Sequence, residues 1–161
     1  MSLEETQAFF EAYRDAFNRL DGNAVADLWH GSSGITDSGI TDNDITDNGI
    51  TDSGGAGKDG ASARLTWWTD DAAMRANHIA LCAAYRDSDY GRADLEIEQH
   101  LPLGPNHAFA LLRWTLQRSD GSLLQRFHTG YQLMRTTAGP RVLLAVAHQE
   151  NLSEIKDHAA E

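Results

Sequence analysis

The chain has 161 residues, enough for one domain with a real core, and its 41% apolar and 23% charged residues are a globular rather than a disordered composition. Thirteen basic against twenty-four acidic side chains leave a net charge of −11, which argues against nucleic acid or an anionic membrane surface as partner, since both need a basic footprint. Cys82 is the only cysteine, so an intrachain disulfide and a thiolate zinc cluster are both excluded. The opening MSLEETQAFF has acids where a signal peptide needs a basic region, and no apolar run reaches membrane-spanning length, so a cytoplasmic location is expected.

From Leu3 to Leu20, Phe9, Phe10, Tyr13, Ala16, Phe17 and Leu20 recur at spacings of three and four, the stripe of an amphipathic helix, with Ser2 and Glu5 in a capping-box pattern at its start. Asp21-Gly22-Asn23 breaks it, and Ala24 to Trp29 reads as a second, short helix packed antiparallel to the first.

The stretch from Gly31 to Ala63 is rich in Gly, Ser, Thr, Asp and Asn, and within it Gly34 to Ser53 reads as four five-residue units, GITDS GITDN DITDN GITDS. A spacing of five matches neither the strand period nor the helix period, so a long exposed loop is expected, with a low-complexity insertion at 34–57. Aspartates at fixed spacing suggest calcium, but the bidentate glutamate of calcium loops is missing. Pentapeptide β-helices have the same period, yet four units make only about one coil. The remaining reading is a tolerated loop expansion, because closure entropy grows only logarithmically with length.

Leu65 to Trp68 reads as a short strand, after which Thr69 or Asp70 caps a third helix running through Ala72, Ala76, Ile79 and Ala83 to about Tyr85. Four strand-like segments follow, near Ala93 to Leu103, Ala108 to Arg118, Leu123 to Thr136 and Arg141 to Asn151, with turns at Asp120-Gly121 and Ala138-Gly139-Pro140. Helices first and an antiparallel meander afterwards predict an α+β fold, with three helices on one face of a curved sheet.

This order, ending in TGYQLMRTTAGPRVLLAVAHQ, resembles the nuclear-transport-factor-2-like cone, whose members include ketosteroid isomerases, SnoaL-like polyketide cyclases and scytalone dehydratase. The resemblance covers the chain outside the repeat and implies a single domain over 1–161, a cone-shaped curved sheet with the helices on its concave face, an interior pocket and a homodimer through the outer sheet face. Setting AYRDAFNRLDGNAVADLW beside the first helices of ketosteroid isomerases places Tyr13 on the tyrosine that donates to the substrate oxyanion. The same register places Asp37 on the proton-shuttling carboxylate, and on a late strand the position that resembles the family's aspartic acid donor is Thr129, beside His128.

The implied chemistry is proton abstraction next to a carbonyl, which needs a base near the carbon and donors at the oxygen. The catalytic candidates are therefore Tyr13, Asp37, Thr129 and His128, and the candidate ligand wall is Phe17, Trp29, Trp68, Arg113, Tyr131 and His148. Tyr13 fits a core tyrosine at least as well, and tryptophans such as Trp29, Trp67, Trp68 and Trp114 more often pack in a core or interface than serve as ligand platforms. No HExxH, phosphate loop, nucleophile elbow or dinucleotide fingerprint is present, so no metal or cofactor is expected. Two classes stay open: a cofactor-independent isomerase, cyclase or dehydratase acting on an apolar carbonyl compound, and a non-catalytic binding or assembly module.

Overall fold

The structure, a computed structural model, describes residues 1–37, 50–51 and 63–148, and of Asp37, Ile50, Thr51 and His148 the backbone alone. The architecture is an α+β cone: three helices pack on one face of a bent sheet of seven strands.

Helix α1 (Leu3–Asn18) starts at a reciprocal capping box, in which Ser2 Oγ accepts from the Glu5 N–H at 3.1 Å and Glu5 Oε2 accepts from the Ser2 N–H at 2.8 Å. Its buried stripe is Phe9, Phe10, Tyr13 and Ala16. Asn18 fixes its far end to the sheet, with its side chain bonded to both the N–H and the carbonyl of Ala93 at 2.7 and 3.1 Å. Leu20, in the left-handed region at φ 51°, ends the run, and Asp21 caps α2 (Gly22–Ala26) by accepting from the Ala24 N–H.

Helix α2 lies against α3 (Asp71–Arg86) so closely that a Cβ on Gly22 would stand 2.5 Å from Ile79 Cα, which only glycine avoids. Arg75 ties the pair together, reaching Asp27 at 2.9 Å and the Asn23 carbonyl at 3.1 Å. The inward face of α3 differs from the expected one. Met74, His78, Cys82 and Tyr85 are buried, whereas Ala72, Ala76 and Ile79 are exposed. Following alanines and isoleucine picks the neighbouring stripe, whereas the buried one carries Met74 and Cys82, both of residue types that are often fully buried.

The strands are β1 (Trp29–Asp37), β2 (Ile50–Thr51), β3 (Arg64–Trp68), β4 (Tyr90–Leu103), β5 (His107–Arg118), β6 (Leu123–Thr136) and β7 (Gly139–His148), in the spatial order β2-β3-β1-β7-β6-β5-β4. All pairs are antiparallel except β1 with β7, which is parallel. Gly121 and Gly139, at φ 84° and 103°, make the expected turns on either side of β6. Bulges at Ile97/Gln99, Leu116/Gln117 and Gln132/Leu133 bend the long strands around the helices.

Strand β1 corrects two expectations. Trp29 begins a strand instead of ending the second helix, and the Gly31-to-Ala63 loop is interrupted by a strand that runs into the first repeat unit as far as Asp37. The sequence HGSSGITD has poor strand propensity, but β1 is flanked by β3 and β7, so both of its edges find hydrogen-bond partners and position overrides propensity. Gly34 is needed there: a Cβ would stand 2.4 Å from the Trp67 ring and 3.0 Å from the Thr66 carbonyl oxygen. Ile50 and Thr51, from the fourth unit, pair with Trp67 and Thr66 as an edge strand. The remaining repeat residues, and the expected strand end at Asn151, lie outside the described residues.

Candidate functional site

Between the helices and the inner sheet face lies a cavity of about 70 Å³. Helix α1 contributes Tyr13 and Phe17, β1 contributes Trp29 and Ile35, and α3 contributes Asn77, His78, Leu81 and Tyr85. The meander closes the other side with Trp114, Phe127, Thr129 and Tyr131 among others. Of the lining residues, Phe17, Ile35, Asn77, Leu81 and Tyr90 are half-buried. An apolar cavity of roughly 150 Å³ holds benzene, so this one encloses only a few heavy atoms of a ligand.

Strand alternation decides which side chains reach it. Along β5, Leu112, Trp114 and Leu116 are buried and point inward, which turns Arg113 to the opposite face. Along β6, Phe127, Thr129 and Tyr131 face inward and His128 outward. Arg113 and His128 meet on that outer face instead: Arg113 pairs with Glu96 and lies 3.7 Å from Glu98, and His128 Nε2 is 3.1 Å from Glu98. The expected places of Arg113 in the ligand wall and of His128 in the catalytic set are therefore corrected by a one-residue register argument.

Trp68 is also displaced from the wall. It is buried behind Trp29, edge-on at 6.0 Å between ring centroids, and packs as core. Asp37 ends β1 two residues beyond the cavity-lining Ile35, with its backbone opposite Arg64, and His148 pairs with His128 in the ladder. Tyr13, Phe17, Trp29, Thr129 and Tyr131 are the named candidates that the fold brings together around the cavity.

The polar centre of the cavity is a pair of phenols held by two indoles. The Trp29 Nε1–H donates to the Tyr13 hydroxyl at 3.1 Å, and the Trp114 Nε1–H donates to the Tyr131 hydroxyl at 3.2 Å. The two tyrosine rings stand 5.9 Å apart, nearly perpendicular, with Phe10 and Phe17 packed around them. Burial, and then the neighbouring Tyr131 phenol, push the Tyr13 pKa well above 10, so Tyr13 is a neutral hydrogen-bond donor.

His78 is a further polar side chain of the wall. It is 2% exposed and packs against Trp29 and Trp68, its ring tilted to both, at 4.4 and 5.8 Å between centroids. Neither of its ring nitrogens has a hydrogen-bond partner among the described residues. Burial, aided by the Arg75 charge, holds its pKa down to about 3, so the ring is neutral. No aspartate, glutamate, lysine or arginine lines the cavity among the described residues, which makes its walls uncharged. Those residues hold no cluster of three or more histidine, cysteine or acidic side chains suited to a metal ion.

A family model described as "NTF2-like protein (DUF6841)" matches residues 60–150. None of the curated proteins matches the chain. Among solved structures, an NTF-2-like protein of unknown function from Shewanella oneidensis superposes with a TM-score of 0.62 at 12% identity, covering 91% of this chain and 98% of its own. A domain of unknown function with a cystatin-like fold from Nostoc punctiforme gives 0.62 at 12% identity, covering 94% and 80%. A ketosteroid isomerase-like protein from Erwinia carotovora gives 0.53 at 15% identity, covering 92% and 97%.

Proposed function

This chain belongs to the NTF2-like protein family (DUF6841), and from that premise we propose that it binds a small, uncharged, carbonyl-bearing molecule in the cone, with the carbonyl oxygen at the Tyr13 hydroxyl. The observation that carries the reading is the hydrogen bond from Trp29 to Tyr13 inside an uncharged cavity. The indole takes one lone pair of the phenol oxygen, and Tyr131 is the phenol's other side-chain hydrogen-bond partner, so a carbonyl oxygen seated at Tyr13 takes the place of Tyr131 at the phenol proton. A carboxylate or phosphate ligand would lose its hydration against walls that, among the described residues, supply no cationic counter-charge, which disfavours those classes on energetic grounds.

The same arrangement suits enolisation. A proton leaves the carbon next to the carbonyl, the electron pair moves into the new carbon–carbon double bond, and the charge that develops on oxygen is met by Tyr13, with Thr129 on the facing strand. Asp37, two residues beyond Ile35, is the proposed proton carrier, as in ketosteroid isomerases; likeness to a ketosteroid isomerase-like fold supports that analogy without carrying it. An isomerase, cyclase or dehydratase of this kind needs no cofactor. We place it in the cytoplasm, in keeping with a single, buried cysteine and with no helix, among the described residues, long and apolar enough to cross a membrane.

A second reading concerns the outer face. Leu101, Leu103 and Val146 are exposed, and with half-buried Phe109, Leu111 and Leu144 they form an apolar sheet surface, flattened where Phe109 packs over Gly130. We propose that a second copy of the chain covers it.

Thermal denaturation in the presence of butan-2-one and cyclopentanone tests the pocket reading. Native-state binding raises the melting temperature with ligand concentration, and the shift shrinks in Tyr13→Phe. A flat response with both ketones leaves the outer face as the functional surface.

A further inference from the structure

We propose that Asn77 is the specificity-determining residue of the cavity, its side-chain amide pairing with the hydroxyl of a hydroxy-carbonyl ligand whose carbonyl oxygen meets Tyr13. This rests on the pocket reading above and adds the ligand's second polar group.

Most polar side chains of the cavity wall are already committed. The Tyr13 hydroxyl accepts from Trp29, the Tyr131 hydroxyl accepts from Trp114, and the Tyr90 hydroxyl donates to Asn18 Oδ1 at 2.9 Å. Both ring nitrogens of His78 are sealed off by their neighbours, out of reach of any ligand atom. Two lining groups remain uncommitted among the described residues and are not sealed in this way: the Thr129 hydroxyl, on the sheet side already placed with the carbonyl oxygen, and the amide of half-buried Asn77 on α3.

Helix periodicity turns Asn77 toward the cavity. Asn77, Leu81 and Tyr85 stand four residues apart on α3 and all line it, so they form one face of the helix. Tyr85 marks one end of that face, its ring 6.2 Å from Phe17 and 5.6 Å from Tyr90 between centroids. Asn77 lies just over two turns away, about 12 Å along the axis, where the neighbouring His78 packs on Trp29. Trp29 is also the residue that holds Tyr13, so the phenol and the amide both belong to the Trp29 end of the cavity.

These two groups define a complementary molecule. Tyr13 is buried and Asn77 half-buried, so the ligand's carbonyl sits deeper than its second polar group. An asparagine amide has an acceptor oxygen and a donor NH₂, and a hydroxyl pairs with either. A charged group in its place would find no counter-charge on the walls among the described residues. A β-hydroxy ketone meets both requirements.

The probes are 4-hydroxybutan-2-one and butan-2-one, matched in carbon skeleton and differing by one hydroxyl. NMR titration of the full chain is expected to show the hydroxy ketone binding about fivefold tighter, the worth of one neutral hydrogen bond. In Asn77→Leu, which keeps the side-chain size and breaks no hydrogen bond to the described residues, the preference should fall to about one while butan-2-one binding persists. Tyr13→Phe should weaken both ligands. The wild-type protein gives an independent readout, since the side-chain amide resonances of Asn77 should shift with the hydroxy ketone and stay near their unliganded positions with butan-2-one. Butan-2-one binding with no preference, a preference that survives Asn77→Leu, or an Asn77 amide unmoved by the hydroxy ketone overturns the role of Asn77 and leaves the pocket reading standing. Binding of neither probe to the wild-type chain overturns both.

Discussion

The indole N–H of Trp29 donates to the hydroxyl of Tyr13 at 3.1 Å, joining the first residue of β1 to the middle of α1 across a buried interface. Tyr13→Phe removes the acceptor and leaves the indole N–H unpaired in an apolar site. The expected cost is about 1–3 kcal/mol of stability, with the fold retained. Denaturant titration and the circular dichroism of the folded baseline check both parts.

His78 predicts acid sensitivity. Its ring has a pKa near 3 in the folded protein against an ordinary 6.5, because burial disfavours the charged form. Between those values the unfolded chain binds a proton that the folded chain refuses, so stability falls as pH drops below about 6.5, by about 1.4 kcal/mol per pH unit for this group. Above 6.5 the group contributes no slope. Stability measured from pH 7.5 to 4.5 should fall less steeply in His78→Phe than in the wild type.

The part of the repeat that the described fold uses is the end of β1. A deletion from Gly34 to Ser53 removes the end of β1 that pairs with both β3 and β7, and should abolish folding. A deletion from Gly39 to Ser53 removes, of the described residues, the two-residue edge strand β2 alone and should leave the melting temperature within a few degrees of the parent. The single change Gly34→Ala should cost about 1–3 kcal/mol by forcing a methyl group into the Trp67 ring.

If a second copy covers the outer face, charges placed there act on assembly before they act on folding. Leu101 and Val146 are 56% and 38% exposed, so Leu101→Glu with Val146→Glu should change the stability of a single chain by no more than about 0.5 kcal/mol per site. Light scattering should give twice the chain mass for the parent and the single-chain mass for the double variant. A single-chain mass for the parent rejects the dimer.

Much of the fold was legible because its signals are periodic. The capping box at Ser2 and Glu5, the stripe through Phe9 and Tyr13, and the glycine turns before and after β6 follow from local chemistry. Strand β1 was not legible, since Gly31 to Asp37 becomes strand only through two neighbouring strands, one of them paired in parallel from the far end of the chain. The site was legible where a residue's own stripe pointed inward, as at Tyr13 and Phe17. It failed at His128 and Arg113, whose chemistry suggested a pocket while the alternation of β5 and β6 sends them outward. His78 escaped for the converse reason: its spacing from Met74 and Cys82 marks the buried stripe of α3, but alanines and isoleucine on the adjoining face gave the stronger apolar signal.

The most direct test of the account is a crystal structure of the protein soaked with cyclopentanone. The account predicts density in the cavity with the ketone oxygen within hydrogen-bonding distance of the Tyr13 hydroxyl and its carbon ring among Phe17, Trp114 and Tyr85. A ketone found elsewhere, or seated in the cavity with its oxygen turned away from Tyr13, would contradict it.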